Sequence, residues 1–343
     1  MKILVMITRR NNSILRITET LQRMGHDVKA IYVDHFQSCH SYLAKKLDKL
    51  GFSAARMKYE YGLYEQAVTA VREWQAKRIL FVNFGFQPDL RADFVALCKE
   101  KECLRVSWLV DPADVDNPDN RAIYGFYDKA YFYELYDAEY IARKFQVNAL
   151  YCPVGYNADY VIDNYSGAGY KRDIVFLGSP YKERMDLLNK LAKTAEERDW
   201  IMEVYGPFYD DSRYFWKKYK RKIKYPYLYK CVHNGIFCPC EIAKLYRESK
   251  ICLNMHVTGA RGMNPRCYEI MATGSFQLLD VRHEYCDYVP GRDFDVYDGF
   301  ELLVKKIEYY LQHDDERQAI ARQGHCSVQK HSMERCMQMM LDI

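Results

Sequence analysis

No stretch of this 343-residue chain approaches the roughly 20 consecutive apolar residues that a membrane-spanning helix needs, so a transmembrane reading is set aside first. The N-terminal residues 1–12 hold one lysine and a very short apolar run before two arginines, which reads as a first strand and not as a signal peptide. An excess of one charge is also missing. The 50 Lys and Arg stand against 46 Asp and Glu, a net +4, without the concentrated basic face that non-specific nucleic-acid binding requires. No Gly-x-Gly-x-x-Gly turn follows the opening strand. The loop from Thr8 to Ser13 carries Arg9, Arg10, Asn11 and Asn12 instead, which argues against a nicotinamide or flavin site in this half. The 12 cysteines lack a repeated spacing and, with no export signal, are expected to be reduced thiols of a cytoplasmic protein. Cys231, His233, Cys238 and Cys240 cluster, but Cys-Pro-Cys lacks the two to four residues that usually separate a ligand pair, so no metal is expected there. The acidic run at 111–120 is rich in Pro and Asn and reads as a turn-rich loop.

What is present describes a soluble α/β protein of two domains. Hydrophobic residues make up 49% and charged residues 28%, and the length suits two domains that each bury a core. Residues 2–7, 13–24 and 28–33 read as strand, helix, strand, which predicts a parallel sheet with a right-handed crossover. Helices at 39–50 and 62–76, strands at 78–83, 104–110 and 129–134, a helix at 137–144 and a strand within 149–156 complete a first domain, 1–156. Residues 157–171, with Asn157, Ser166, Gly167 and Gly169, read as a linker. The second domain, 172–326, repeats the plan: a strand at 173–177, a turn at Gly178, a helix from Tyr181, and a strand at 201–205 closed by Gly206. A strand at 235–237, a helix at 241–248, a last strand at 294–297 and helices at 299–312 and 314–323 follow. The final helix, 327–342, is rich in methionine, a packing stripe.

Residues 250–280 carry the chemistry. Apolar strands at 251–255 and 275–279 bracket a helix with clear punctuation: Asn264 as N-cap, Pro265 at the first helical position and Gly274 as a left-handed stop. A helix N-terminus adds about half a positive charge, and Arg261 and Arg266 reinforce it, with Gly259 and Gly262 allowing close backbone approach. Glu269, one turn on, can pair with Arg266 or accept hydrogen bonds from sugar hydroxyls. This set suits a nucleotide diphosphate and its ribose; the plain alternative is a well-capped helix with a surface Arg-Glu pair. Asp111, just past a strand end, is a candidate base or acceptor-hydroxyl ligand, or simply an Asx-turn before Pro112. Residues 214–230 interleave lysines with aromatics, as an anionic surface or glycan would require, or as a solvated helix followed by a Tyr-rich packing loop.

Several spaced positions also resemble a known family. Ile251, Leu253, Asn254 and His256, then Arg266, Tyr268, Glu269, Ala272 and Gly274, resemble the C-terminal signature of the CgeB-like (spore-maturation) glycosyltransferases. Pro290-Gly291, Tyr297-Asp298, Tyr310-Leu311 and His313 continue the match, as do Gly178, Ser179 and Arg184, and Trp108 with Asp111. The resemblance implies the GT-B fold, two Rossmann-like domains with parallel sheets facing a cleft and a last helix crossing back to the first domain. It implies transfer of a sugar from a nucleotide-diphosphate donor, UDP foremost, without a metal or any cofactor beyond that cosubstrate. The implied donor-binding residues are Gly178, Arg184, Tyr205, Gly206, Asn254, Arg261, Gly262, Asn264, Arg266 and Glu269; the implied catalytic candidates are Asp111 and His256. The acceptor would be a glycan, a lipid-linked or a protein group, in surface-polysaccharide or glycan synthesis at the inner face of a membrane. One position departs: retaining GT-B enzymes often carry a glutamate eight residues before the equivalent of Glu269, where this chain has Arg261. That departure keeps a second reading open, a non-catalytic GT-B-like protein that binds an anionic polymer or membrane through 214–230.

Overall fold

A computed structural model describes residues 1–34, 46, 50, 53–161, 169–208, 215–233, 235, 238–257, 259 and 261–343, with the backbone alone at 13 and 215–218. The expected helix at 39–50, apart from residues 46 and 50, and residues 162–168 of the expected linker lie outside the described residues. The chain divides into two compact units, Met1–Asn157 with Met333–Ile343, and Ala158–Ser332.

The first unit is a six-stranded sheet, every neighbouring pair parallel, in the order β2-β1-β3-β4-β5-β6. Its strands are β1 (Lys2–Ile7), β2 (Asp27–Tyr32), β3 (Arg78–Val82), β4 (Leu104–Leu109), β5 (Lys129–Phe132) and β6 (Ala149–Tyr151). Both faces of the central strands are covered, which explains the buried apolar runs of β1 and β3, while the edge strand β2 (Asp27–Tyr32) is largely exposed. Within β1, Leu4 and Met6 enter one core while Ile3, Val5 and Ile7 enter the core on the opposite face. The helices are α1 (Arg9–Leu15), α2 (Ile17–Arg23), α3 (Ala54–Arg72), α4 (Pro88–Glu100), α5 (Asn120–Tyr124) and α6 (Leu135–Phe145).

One expectation here is corrected. Residues 9–15, expected as loop in their first half, are helical: the Thr8 hydroxyl caps α1 by accepting from Asn11 N–H at 3.2 Å. The helix then breaks at Arg16, left-handed at φ 51°, before α2 begins.

The second unit is a six-stranded parallel sheet, β12-β11-β10-β7-β8-β9. The strands are β7 (Arg172–Leu177), β8 (Met202–Tyr205), β9 (Val232–His233), β10 (Ser249–Asn254), β11 (Gln277–Asp280) and β12 (Asp295–Tyr297). Counted within the unit, this is the 3-2-1-4-5-6 order of a doubly wound nucleotide-binding sheet, whose direction of winding reverses between β7 and β10. The helices are α7 (Lys182–Glu197), α8 (Phe215–Lys224), α9 (Leu228–Cys231), α10 (Pro239–Arg247), α11 (Pro265–Ala272), α12 (Gly299–Gln312) and α13 (Asp314–Val328). The strand expected at 235–237 is displaced: β9 lies at 232–233, Gly235 is not in a strand, and 236–237 are outside the described residues.

The last helix, α14 (Met333–Leu341), belongs to the first unit and begins later than the sequence suggested, after a short turn at Gln329–His331. Its Met333, Cys336, Met337, Met340 and Leu341 are buried against Ile3, Val5, Leu80, Val82 and Trp108. Arg78 Nε donates to Leu341 O at 2.8 Å, and Lys129 pairs with Asp342 at 2.6 Å.

Candidate functional site

In open parallel sheets, ligands collect where the winding reverses, outside the carboxyl ends of the strands. In the second unit that point is occupied by the turn after β7 and the loop after β10. The structure places a cavity of about 870 Å³ there, lined by Arg184 from the first turn of α7, by His256, Gly259 and Arg261 from the loop, and by Asp280, Arg282 and Tyr297 from the ends of β11 and β12.

The loop is held at both ends. The Asn254 and Asn264 amides exchange hydrogen bonds at 3.1 and 3.0 Å, tying the end of β10 to the N-cap of α11. Asn264 also accepts from Cys267 N–H at 3.1 Å. Its own N–H donates to His256 Nε2 at 3.1 Å, so the imidazole proton resides on Nδ1 and goes to Asp280 Oδ1 at 2.6 Å. Asp280 further accepts from His256 N–H and from Arg282 Nη2 at 2.8 Å. Burial pushes the His256 pKa down against the pull of Asp280. At Asp280 burial pushes up, but the hydrogen bonds from His256 and the charge of Arg282 outweigh it and hold the carboxyl below its ordinary value. A neutral His256 with both ring nitrogens engaged keeps the loop in place.

The helix N-terminus differs from expectation. Pro265 has no N–H, the Asn264 side chain takes that of Cys267, and His256 takes that of Asn264, so the first turn of α11 is largely satisfied by its own caps. Positive charge at the cavity comes from guanidinium groups. Arg184 is buried and oriented by Met255 O at 2.5 Å and Ser179 O at 3.4 Å, while its Nε is buried with no hydrogen-bond partner among the described residues. The Tyr297 hydroxyl is likewise buried without a partner among the described residues. Orphaned donors of this kind cost about 1–3 kcal/mol each and are expected where a ligand completes them. Asp280, Arg282 and Tyr297 were missed in the sequence because each stands alone at a strand end, and only the sheet order brings them to the loop. The one available signal was the Tyr297-Asp298 match.

Arg266 and Glu269 do not line this cavity. Arg266 Nη1 donates to the Tyr246 hydroxyl at 2.6 Å and lies 3.6 Å from Glu269 Oε2, an ion pair too long for a hydrogen bond. Glu269 is hydrogen-bonded to the Tyr160 hydroxyl, its Oε2 is buried without a hydrogen bond, and burial raises its pKa over the opposition of Arg266 and Tyr160. Gly262 is buried outside the lining, whereas Gly259 lines the cavity with open space above it. Gly178 and Gly206 pack on each other: a Cβ on Gly206, at φ 142°, would stand 2.0 Å from Gly178 O. Tyr205 donates to Glu203 at 2.5 Å and stacks on His233, with its pKa pushed up to about 12, mainly by burial.

The first unit has a cavity of about 770 Å³, lined by Thr8, Asn83, Gly85 and Asp111 at the carboxyl ends of β1, β3 and β4. Asp111 is exposed there and accepts from Asn83 Nδ2 at 2.6 Å, while Asn83 Oδ1 accepts from Val110 N–H. In the 214–230 segment, Tyr219, Lys220, Lys222, Ile223 and Lys224 are exposed, while Tyr225, Leu228 and Tyr229 belong to the core. Cys238 is the N-cap of α10 in a capping box with Glu241. Among the described residues no group of three or more His, Cys, Asp or Glu could hold a metal ion, and no helix is long and apolar enough to cross a membrane.

Two doubly wound parallel sheets make the GT-B fold, the scaffold of a large class of glycosyltransferases. Residues 184–342 match a family model described as glycosyl transferase-like. No curated protein matches the sequence. Among solved structures, the chain is similar to a glycosyltransferase from Rickettsia africae ESF-5, at 13% identity over 98% of this chain and 96% of that one, with a TM-score of 0.71. It is similar to HepE from Anabaena in complex with UDP-glucose, at 12% identity over 99% and 98%, TM-score 0.65. It is also similar to sucrose-phosphate synthase from Thermosynechococcus elongatus, at 13% identity over 99% and 97%, TM-score 0.66.

Proposed function

We propose that this protein is a glycosyltransferase of the CgeB-like kind that binds a nucleotide-diphosphate sugar, UDP-linked in the first instance, at the cavity of the second unit. The observation that carries the reading is the convergence of Arg184, Arg261 and Arg282 with the unpartnered Arg184 Nε and Tyr297 hydroxyl on one cavity at the winding reversal. As the glycosidic bond breaks, negative charge grows on the departing diphosphate. Preorganised guanidinium groups aimed at that charge stabilise the transition state more than the ground state. They supply the positive charge by themselves, so the reading needs no metal. Glu269 and Arg266, buried as a pair outside the cavity, are not ligand contacts in this reading. His256 and Asp280 act as positioning residues for the loop. Asp111, steadied by Asn83, is the candidate ligand or base for the acceptor hydroxyl, whose carrier is a glycan, lipid-linked or protein group. HepE, the neighbour solved with UDP-glucose and with UDP and glucose, supports the choice of uridine donor. The exposed Tyr219 and Ile223, flanked by Lys220, Lys222 and Lys224, suit peripheral contact with an anionic surface.

Melting temperatures against UDP, GDP, ADP and their free nucleosides test the proposal. A ligand at a hundred times its dissociation constant adds about 2.7 kcal/mol to the unit that binds it. UDP is expected to stabilise the wild type and to have little effect on Arg261→Ala. If no nucleoside diphosphate shifts the transition, the donor assignment is wrong.

A further inference from the structure

The second unit has another enclosed space, at the opposite edge of its sheet. Because β7, β10 and β11 are parallel, their amino ends share one edge, and a cavity of about 370 Å³ opens there between Tyr170, the start of β10 at Ser249 and Lys250, and Phe276. Six residues of β10 separate it from the donor cavity, roughly 20 Å at the rise of an extended chain.

Its lining has four cations, Arg247, Lys250, Arg317 and Arg322, and no carboxylate among the described residues. Two of these are anchored by carboxylates behind them: Lys250 by Asp173 at 2.7 Å, and Arg317 by Asp314. Arg317 is 1% exposed, donates to Tyr310 O at 2.6 Å, and lies over the Tyr170 ring at 5.0 Å. Arg247 is aimed by Gly274 O at 3.0 Å; Gly274 is left-handed at φ 68°, and a Cβ there would stand 2.9 Å from Arg247 Nη1. The fourth, Arg322, is exposed at the mouth. Asp173 and Asp314 offset two of the four cations from behind, and the lining itself stays positive, which favours an anion in the cavity. The volume lies in the range of small-ligand sites, and the exposed Tyr170 offers an aromatic ring of the kind on which sugars pack.

We infer that this cavity binds a phosphomonoester on a sugar-sized body, with Arg247, Lys250 and Arg322 receiving the phosphate and Tyr170 flanking the ring. The site is separate from the donor cavity, and its existence does not depend on the donor assignment.

Calorimetric titration with glucose 6-phosphate, free glucose and inorganic phosphate tests it, on the wild type and on Arg322→Glu, Arg247→Gln and Arg261→Ala. Saturable binding of glucose 6-phosphate is expected in the wild type and in Arg261→Ala, weaker by about tenfold or more in Arg322→Glu and Arg247→Gln, and absent for free glucose. Arg322 is exposed, so its variant keeps the fold, which a melting curve checks. The inference is overturned by an absence of saturable heat in the wild type, by loss of binding in Arg261→Ala alone, or by undiminished binding in both charge variants. Inorganic phosphate binding as tightly as the sugar phosphate would contradict the role given to Tyr170.

Discussion

Gly324 illustrates how far a residue's role depends on its surroundings. It lies inside α13, where replacing glycine by alanine ordinarily adds about 1 kcal/mol of stability. Here an added Cβ would stand 2.2 Å from Asp293 O, a backbone atom that cannot yield cheaply. Gly324→Ala is therefore expected to lower stability by about 1–3 kcal/mol in urea unfolding; a gain would show that the helix can shift. Glu269 makes a different trade. Burial raises its carboxyl pKa, so its contribution to stability is complete below the unfolded value of about 4.5 and is lost as pH rises through the folded one. Glu269→Gln should thus be more stable than the wild type at pH 7 to 8, with the difference closing toward pH 4. The same variant should bind UDP as the wild type does, because Glu269 lies outside the donor cavity. A loss of UDP affinity would show that Glu269 reaches the ligand.

At the scale of elements, the cap and stop of α11 were legible because they rest on local chemistry: Asn264, Pro265 and Gly274 act within one turn of where they stand. The break at Arg16 was not legible, since a left-handed arginine with Asn12 bonded across it to Thr18 leaves no signature in composition. The candidate site divides the same way. Arg184, Arg261 and His256 could be picked from motifs, but Asp280 and Arg282 depend on which strand neighbours β10, a matter of sheet order. The loop after β10 is tested by Asn264→Ala, which removes an N-cap and a partner of the buried Asn254 amide. It should cost about 1–2 kcal/mol and weaken UDP binding as the loop loosens. Unchanged affinity with lowered stability would mean that the cap serves α11 alone.

For the whole molecule, a parallel architecture was readable because apolar runs alternating with amphipathic helices leave few other folds, and the GT-B form came from spaced family positions. The return of the last helix to the first domain came from the family resemblance; which strands it covers did not. The methionines of α14 complete the core under β1, β3 and β4, so deleting 333–343 exposes Val5, Leu80 and Trp108. Hydrogen exchange on that truncation should show lost protection across β1 and β3 and retained protection in β7 and β10; uniform protection would contradict the packing described. The proposed function depends on guanidinium groups holding a diphosphate. The direct measurement is a calorimetric comparison of UDP with uridine on the wild type and Arg261→Ala. UDP binding much more tightly than uridine, with about a tenfold or greater loss confined to UDP in the variant, is the predicted result. Equal affinity for UDP and uridine, or no change on removing Arg261, would contradict it.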